Sequence, residues 1–145
     1  MSKENLKDRI KLHEGFRDTV YKDTLGFRTI GYGHKVVHED SFIDGKQYSK
    51  EQLDAVFDKD FDKAWNLMLL FCDENNLRGI SDTAKETICE MIFQMGFAGV
   101  SKFKNMIKAL QNRDYKLASI EMLDSRWAKQ TPNRAKELSN AMANA

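Results

Sequence analysis

The feature that most constrains this chain is an uninterrupted amphipathic run from Lys50 to Cys72, free of proline and glycine. Apolar residues recur there at Leu53, Val56, Phe57, Phe61, Ala64, Trp65, Met68 and Cys72. That is the i, i+3, i+4, i+7 spacing of one helix face. Ser49 and Gln52 stand at the ends of a capping box, which marks where the helix begins. Such a helix is roughly 34 Å long, about as long as a small domain is wide. A chain of 145 residues built around it is expected to hang a smaller element group on each end. The predicted organisation is a lobe over 1–48, a connecting helix over 49–72 and a second lobe over 73–145.

Composition narrows the function classes. Hydrophobic residues at 41% and charged residues at 31% describe a soluble globular protein and exclude disordered and fibrous classes. The net charge of +1 argues against bulk electrostatic capture, so neither nucleic acid nor stable membrane association is expected. Cys72 and Cys89 form no CxxC pair and have no histidine at ligand spacing, so they are expected as buried free thiols and no metal site is predicted. The start, Met1 to Glu14, carries no apolar h-region. The longest apolar stretch, Trp65 to Cys72, is far short of the ~20 residues that span a bilayer. A protein made in the cytoplasm without a signal peptide is the expectation.

Four of the 8 glycines, Gly15, Gly26, Gly31 and Gly33, fall between residues 15 and 33. They bound short β-branched and aromatic runs, which predicts a small antiparallel sheet over Arg17 to His34 after a helix from Lys3 to about His13. A strand or loop follows to about Asp44. Beyond the long helix, Thr83 with Glu86 predicts a helix carrying Ile88, Met91, Ile92 and Met95 and ending at Gly96. Ser101 is expected to start a helix over Phe103 to Leu110, and Asp114 to cap Tyr115 to Leu123. Thr131-Pro132 opens a last helix toward Ala143. The fold class is α+β, mainly α: a small α+β lobe, a long helix and an all-helical lobe.

Glu14 sits at the predicted C-terminal end of the first helix, directly before Gly15, a natural C′ residue. The negative end of the helix dipole disfavours a carboxylate charge there, a poor place for a structural glutamate and a good one for a general acid. Asp23, at the end of a short strand, reads by itself as a turn residue. Thr29, inside the next strand, reads by itself as β propensity. His34, after Gly31-Tyr32-Gly33, lacks the GxGxxG pattern, the lysine and the following helix of a phosphate loop.

Together the three positions say more. Glu14, Asp23 and Thr29 lie nine and then six residues apart in the frame LHEGFRDTVYKDTLGFRTIGYGH. This resembles the catalytic signature of the phage-type lysozymes, the T4 lysozyme family of glycoside hydrolases. The resemblance continues through Phe93-Gln94-Met95-Gly96 and from Ser125 to Lys136, and covers essentially the whole chain. It implies a lysozyme-like fold and a muramidase, a monomer that cuts the β-1,4 bond between N-acetylmuramic acid and N-acetylglucosamine in bacterial peptidoglycan with no cofactor. By the matching positions Glu14 is implied as the general acid, Asp23 as the second carboxylate and Thr29 as the holder of the attacking water. Gly33, Phe93 and Gln94 are implied to line the saccharide cleft, and Arg134 to face the acid across it. Lysis of the host cell follows, with the enzyme leaving the cytoplasm through a membrane lesion.

Two rivals were weighed against this. A lytic transglycosylase cleaves the same bond with a single acid, and Asp23 and Thr29 at the matching spacing speak against it. A non-catalytic wall-binding module of the same fold is disfavoured because both carboxylates are present. A hydroxyl beside the second carboxylate favours an interposed water over direct attack, so an inverting route is expected. Asp60 lies close to the apolar stripe of the long helix, where a carboxylate needs a partner. His34 is predicted to supply it, in a structural role outside catalysis.

Overall fold

A computed structural model describes residues 3–145. Among these, seven helices and one three-stranded antiparallel sheet follow the order α1 Lys3–Glu14, β1 Arg17–Lys22, β2 Arg28–Gly31, β3 His34–Lys35, α2 Lys50–Glu74, α3 Asp82–Ser101, α4 Lys104–Gln111, α5 Tyr115–Leu123, α6 Arg126–Gln130 and α7 Pro132–Ala143. The class is α+β, mainly α, as the sequence predicts. Contacts group residues 3–63 into one compact unit and Ala64–Ala145 into another, with the division inside α2.

In the first unit, α1 buries Leu6 and Ile10, and α2 contributes Leu53, Phe57 and Phe61. Lys7 and Lys11 lie over the Phe61 and Phe57 rings at 5.2 and 5.0 Å. Lys11 also reaches Asp54 at 3.5 Å, so the alkyl stems cover apolar surface while the charges stay paired. A separate cluster of Ile30, Tyr48 and Leu53 sits beneath the sheet, flanked by Val20, Val36 and Phe42. The expected capping box is present: Gln52 N–H donates to Ser49 Oγ at 3.1 Å, and Ser49 N–H donates to Gln52 Oε1 at 3.1 Å. The stretch between β3 and α2 forms turns and loop rather than a further strand.

The second unit is wholly helical, with α5 packed on both α4 and α7 and α3 on α7. Its core holds Met68, Phe71, Ile88, Met91, Leu110, Met122, Leu138 and Met142, so the methionines are core residues. Cys72 and Cys89 are buried free thiols. No described helix is long and apolar enough to cross a membrane.

Several boundaries differ from expectation, each for a local reason. The long helix runs two residues past Cys72 because Asn76 adopts φ 58° and Leu77 N–H bonds back to the Cys72 carbonyl at 2.7 Å, a Schellman closure with asparagine in the glycine place. α3 is capped by Ser81, whose hydroxyl accepts from Ala84 N–H at 3.1 Å, and not by Thr83. Gly96, at φ 83° and ψ 163°, leaves the helical region, so the first segment of α3 ends there as predicted and a second segment continues to Ser101. Helix resumes because Phe97 packs edge-on against Phe71 and Val100 is buried. Ser101 does not cap α4: it is the last residue of α3, with its hydroxyl donating to the Phe97 carbonyl at 2.8 Å, and α4 starts after Phe103. Thr131 is the N-cap residue of α7 with Pro132 at its start, as the sequence predicts, although its hydroxyl makes no capping bond and donates to the Trp127 carbonyl at 3.0 Å. The short α6, capped by Ser125, was not anticipated.

The predicted His34–Asp60 bond is present, with Nδ1 and Oδ2 2.6 Å apart. Asp40 adds a partner the sequence did not reveal. Its Oδ2 lies 2.9 Å from His34 Nε2 and accepts from Val37 N–H at 2.8 Å. With carboxylates on both ring nitrogens, the imidazole favours its protonated form. The Asp60 hydrogen bond leads, and with Asp40 it outweighs the opposing effect of burial and lifts His34 from 6.5 to about 8. A raised histidine stabilises the fold fully below its unfolded value and loses that contribution as pH climbs through the folded one. Urea unfolding should therefore show stability falling by up to about 2 kcal/mol from about pH 6 to pH 9. His34→Asn should flatten the curve over that window, and an equally steep curve in the variant would assign the slope to another group.

Candidate active site

The first helix ends as its sequence dictates. Gly15 takes φ 74° and its N–H bonds to the Lys11 carbonyl at 3.0 Å, which closes α1 and leaves Glu14 as its last residue. The Glu14 side chain lies against Gly33, just beyond the β2 strand. A Cβ built on Gly33 would collide with the carboxyl oxygen and stand 3.1 Å from the carboxyl carbon. Gly33 also has φ 74°, so its lack of a side chain serves both the backbone turn and the seat of the carboxyl.

Asp23 and Thr29 meet through one peptide. Asp23 Oδ1 accepts from the N–H groups of Leu25 and Phe27, both at 2.9 Å, and Asp23 N–H donates to the Phe27 carbonyl at 2.9 Å. The same carbonyl accepts from Thr29 Oγ1 at 2.9 Å. The turn reading of Asp23 is thus correct for one carboxylate oxygen. No hydrogen bond among the described residues occupies the other. Thr29 is buried, with its hydroxyl proton committed to Phe27, so its free lone pairs can only accept.

A phage lysozyme family model matches residues 11–143. The chain belongs to the phage lysozyme family. It is 31% identical over 154 aligned residues to a probable T4-type lysozyme 2 of Dictyostelium discoideum, covering 90% of this chain and 89% of that protein. A probable T4-type lysozyme 1 of the same organism is 30% identical over 158 residues. The peptidoglycan hydrolase gp36 of Pseudomonas phage phiKMV is 28% identical over 140 residues, covering 96% of this chain and 15% of that longer protein. Membership makes this a lysozyme-like, glycosidase-type enzyme.

Glu14, Asp23, Thr29 and Gly33 all belong to the unit of residues 3–63, as do His34 and Asp60. The unit from Ala64 onward carries the remaining expected residues of this lysozyme-family chain. Phe93 is half-buried on α3. Its neighbour Gln94 is held by Trp127, whose Nε1 donates to Gln94 Oε1 at 2.8 Å, while Gln94 Nε2 lies 3.5 Å from Thr131 Oγ1. Arg134 pairs with Glu90, its Nε donating to Oε2 at 3.0 Å with the glutamate side chain fully buried. Removing one partner of such a pair leaves a buried charge, which costs about 3–5 kcal/mol. Glu90 escaped the sequence reading. Its signal is a lone carboxylate within Ile88-Cys89-Glu90-Met91-Ile92, where an uncompensated charge could not be buried.

Among the described residues no cluster of histidine, cysteine, aspartate or glutamate is arranged to hold a metal. The seat of Glu14 yields a direct test. Gly33→Ala introduces a Cβ into the carboxyl's position and into a left-handed backbone, so it should cost about 1–2 kcal/mol in unfolding free energy. It should also slow clearing of a cell-wall suspension by about tenfold or more through displacement of Glu14. Clearing at the wild-type rate would show that Gly33 does not set the position of the carboxyl.

Proposed function

We propose that this protein is a muramidase, hydrolysing the β-1,4 bond between N-acetylmuramic acid and N-acetylglucosamine in bacterial peptidoglycan with inversion at the anomeric carbon. The observation that carries this reading is Phe27, whose N–H donates to Asp23 Oδ1 and whose carbonyl accepts from Thr29 Oγ1, which ties the two residues to one turn and leaves each with acceptor capacity. A water between them gives one hydrogen to the Thr29 lone pair and the other to the free Asp23 oxygen. Its own lone pair is then directed at the sugar, with Asp23 as general base. Glu14 protonates the leaving oxygen from the opposite face. Direct attack by Asp23 would leave the accepting lone pairs of Thr29 without a catalytic use.

In this proposal Gly33, Phe93 and Gln94 contact the saccharide. Arg134, oriented by Glu90, is the cationic group offered to the saccharide. The reaction consumes one water and uses two carboxyl groups, one as acid and one as base, that are restored at the end of each turnover; it calls for no cofactor. The names of the relatives, T4-type lysozymes and a peptidoglycan hydrolase, agree with this substrate. In a phage setting the result is lysis of the host, the monomeric enzyme passing from the cytoplasm to the wall through a membrane lesion.

Glu14→Gln keeps the shape of the side chain but cannot donate the proton. Turnover of purified peptidoglycan should fall by more than about two orders of magnitude, with thermal unfolding close to wild type. Retention of over about a tenth of the activity would remove Glu14 from the role. Proton NMR of the first-formed reducing ends should show the α anomer before mutarotation. An initial β anomer would establish retention, and a 1,6-anhydro product would mark a transglycosylase.

A further inference from the structure

Tyr21 is the residue that neither its strand nor its core accounts for. It stands on β1 directly opposite Thr29 on β2. Opposed residues of an antiparallel pair have their Cβ atoms about 4.5–5.5 Å apart on one face of the sheet. Asp23 follows two residues later at the strand's end, and Glu14 precedes the strand. Both carboxyl groups act on the phenol electrostatically. Burial is the largest influence raising its pKa, the Arg17 charge opposes it, and Glu14 and Asp23 each raise it further.

The ring is held and the hydroxyl is not. The Arg17 guanidinium lies 4.5 Å from the Tyr21 ring centroid, a cation–π contact that restricts its rotation. Among the described residues no hydrogen bond engages the phenol oxygen. A half-buried strand position needs only an aromatic body, which phenylalanine supplies as well. The hydroxyl is the part left for a ligand, on a strand position that faces Thr29 in the register and whose ring Arg17 covers.

We infer that the Tyr21 hydroxyl is a further substrate-contacting group of this site, donating a hydrogen bond to an oxygen of the sugar held between Glu14 and Asp23. This rests on the muramidase reading. The bond tightens as charge redistributes over the sugar during cleavage, so its loss falls on kcat more than on KM. The phenol stays neutral through the working range and transfers no proton.

The test uses the whole chain and soluble peptidoglycan oligosaccharides. Release of new reducing ends by the wild type decides the muramidase reading, independently of Tyr21. Tyr21→Phe should then lose about tenfold in kcat, the worth of one well-placed hydrogen bond, with KM changed by less than about threefold and the thermal midpoint unchanged. A kcat loss smaller than about threefold, or a loss carried by KM alone or by a lower thermal midpoint, overturns the inference. Incorporating a fluorinated tyrosine at position 21 keeps ring and hydroxyl but makes the phenol more acidic. It should bring in an alkaline fall of kcat as the donor ionises, and an alkaline limb identical to the wild type's would equally overturn it.

Discussion

One continuous apolar stripe on α2 underlies both halves of this molecule. Leu53, Phe57 and Phe61 belong to the first unit's core, and Ala64, Met68, Phe71 and Cys72 to the second's. Burying a large apolar side chain contributes about 1.5–3 kcal/mol, so neither core would be complete without its share of this helix. The ends are set with matching care, by the Ser49–Gln52 box and the Asn76 closure. A helix that must serve two cores in register cannot fray at either terminus.

The candidate site is built from groups that the backbone already needs. One oxygen of Asp23 closes a hairpin by accepting two N–H groups, and the other remains for chemistry. Thr29 spends its proton on the same turn and keeps its lone pairs. Glu14 rests where Gly33 has no side chain. In the proposed roles, Asp23 and Thr29 are each oriented by a structural bond made with part of their capacity, and Glu14 by its place against Gly33. In the proposed reaction this would couple the turn's integrity to catalysis.

Charge burial follows a different rule in each unit. His34 is clasped between two carboxylates at a partly exposed position, where each added partner favours the cation. Glu90 is wholly enclosed and has Arg134 beside it, an arrangement in which the cost of desolvation is met only while both partners are in place. The first is a source of pH-dependent stability, and the second fixes an arginine rigidly.

Local signals in the chain determined most of the elements. Apolar periodicity, the capping box, the Gly15 stop and the Pro132 start all act within one or two turns of backbone, and each is found where the residues call for it. The spacing of Glu14, Asp23 and Thr29 placed a family signature in the sequence, and the link between Asp23 and Thr29 lay within reach of a short hairpin. Tertiary structure alone decided the rest, because a hydroxyl or carboxylate has several possible partners and only packing selects one. Ser101 looks like the cap of α4 but belongs to the helix before it, and Thr131 stands at the cap position of α7 while its hydroxyl bonds backward to Trp127. Asp40 joins His34 only once the loop folds back, and Glu90 meets Arg134 across 44 residues of chain. Tyr21 reads as an ordinary strand aromatic until Arg17 clamps its ring and the sheet register sets it opposite Thr29.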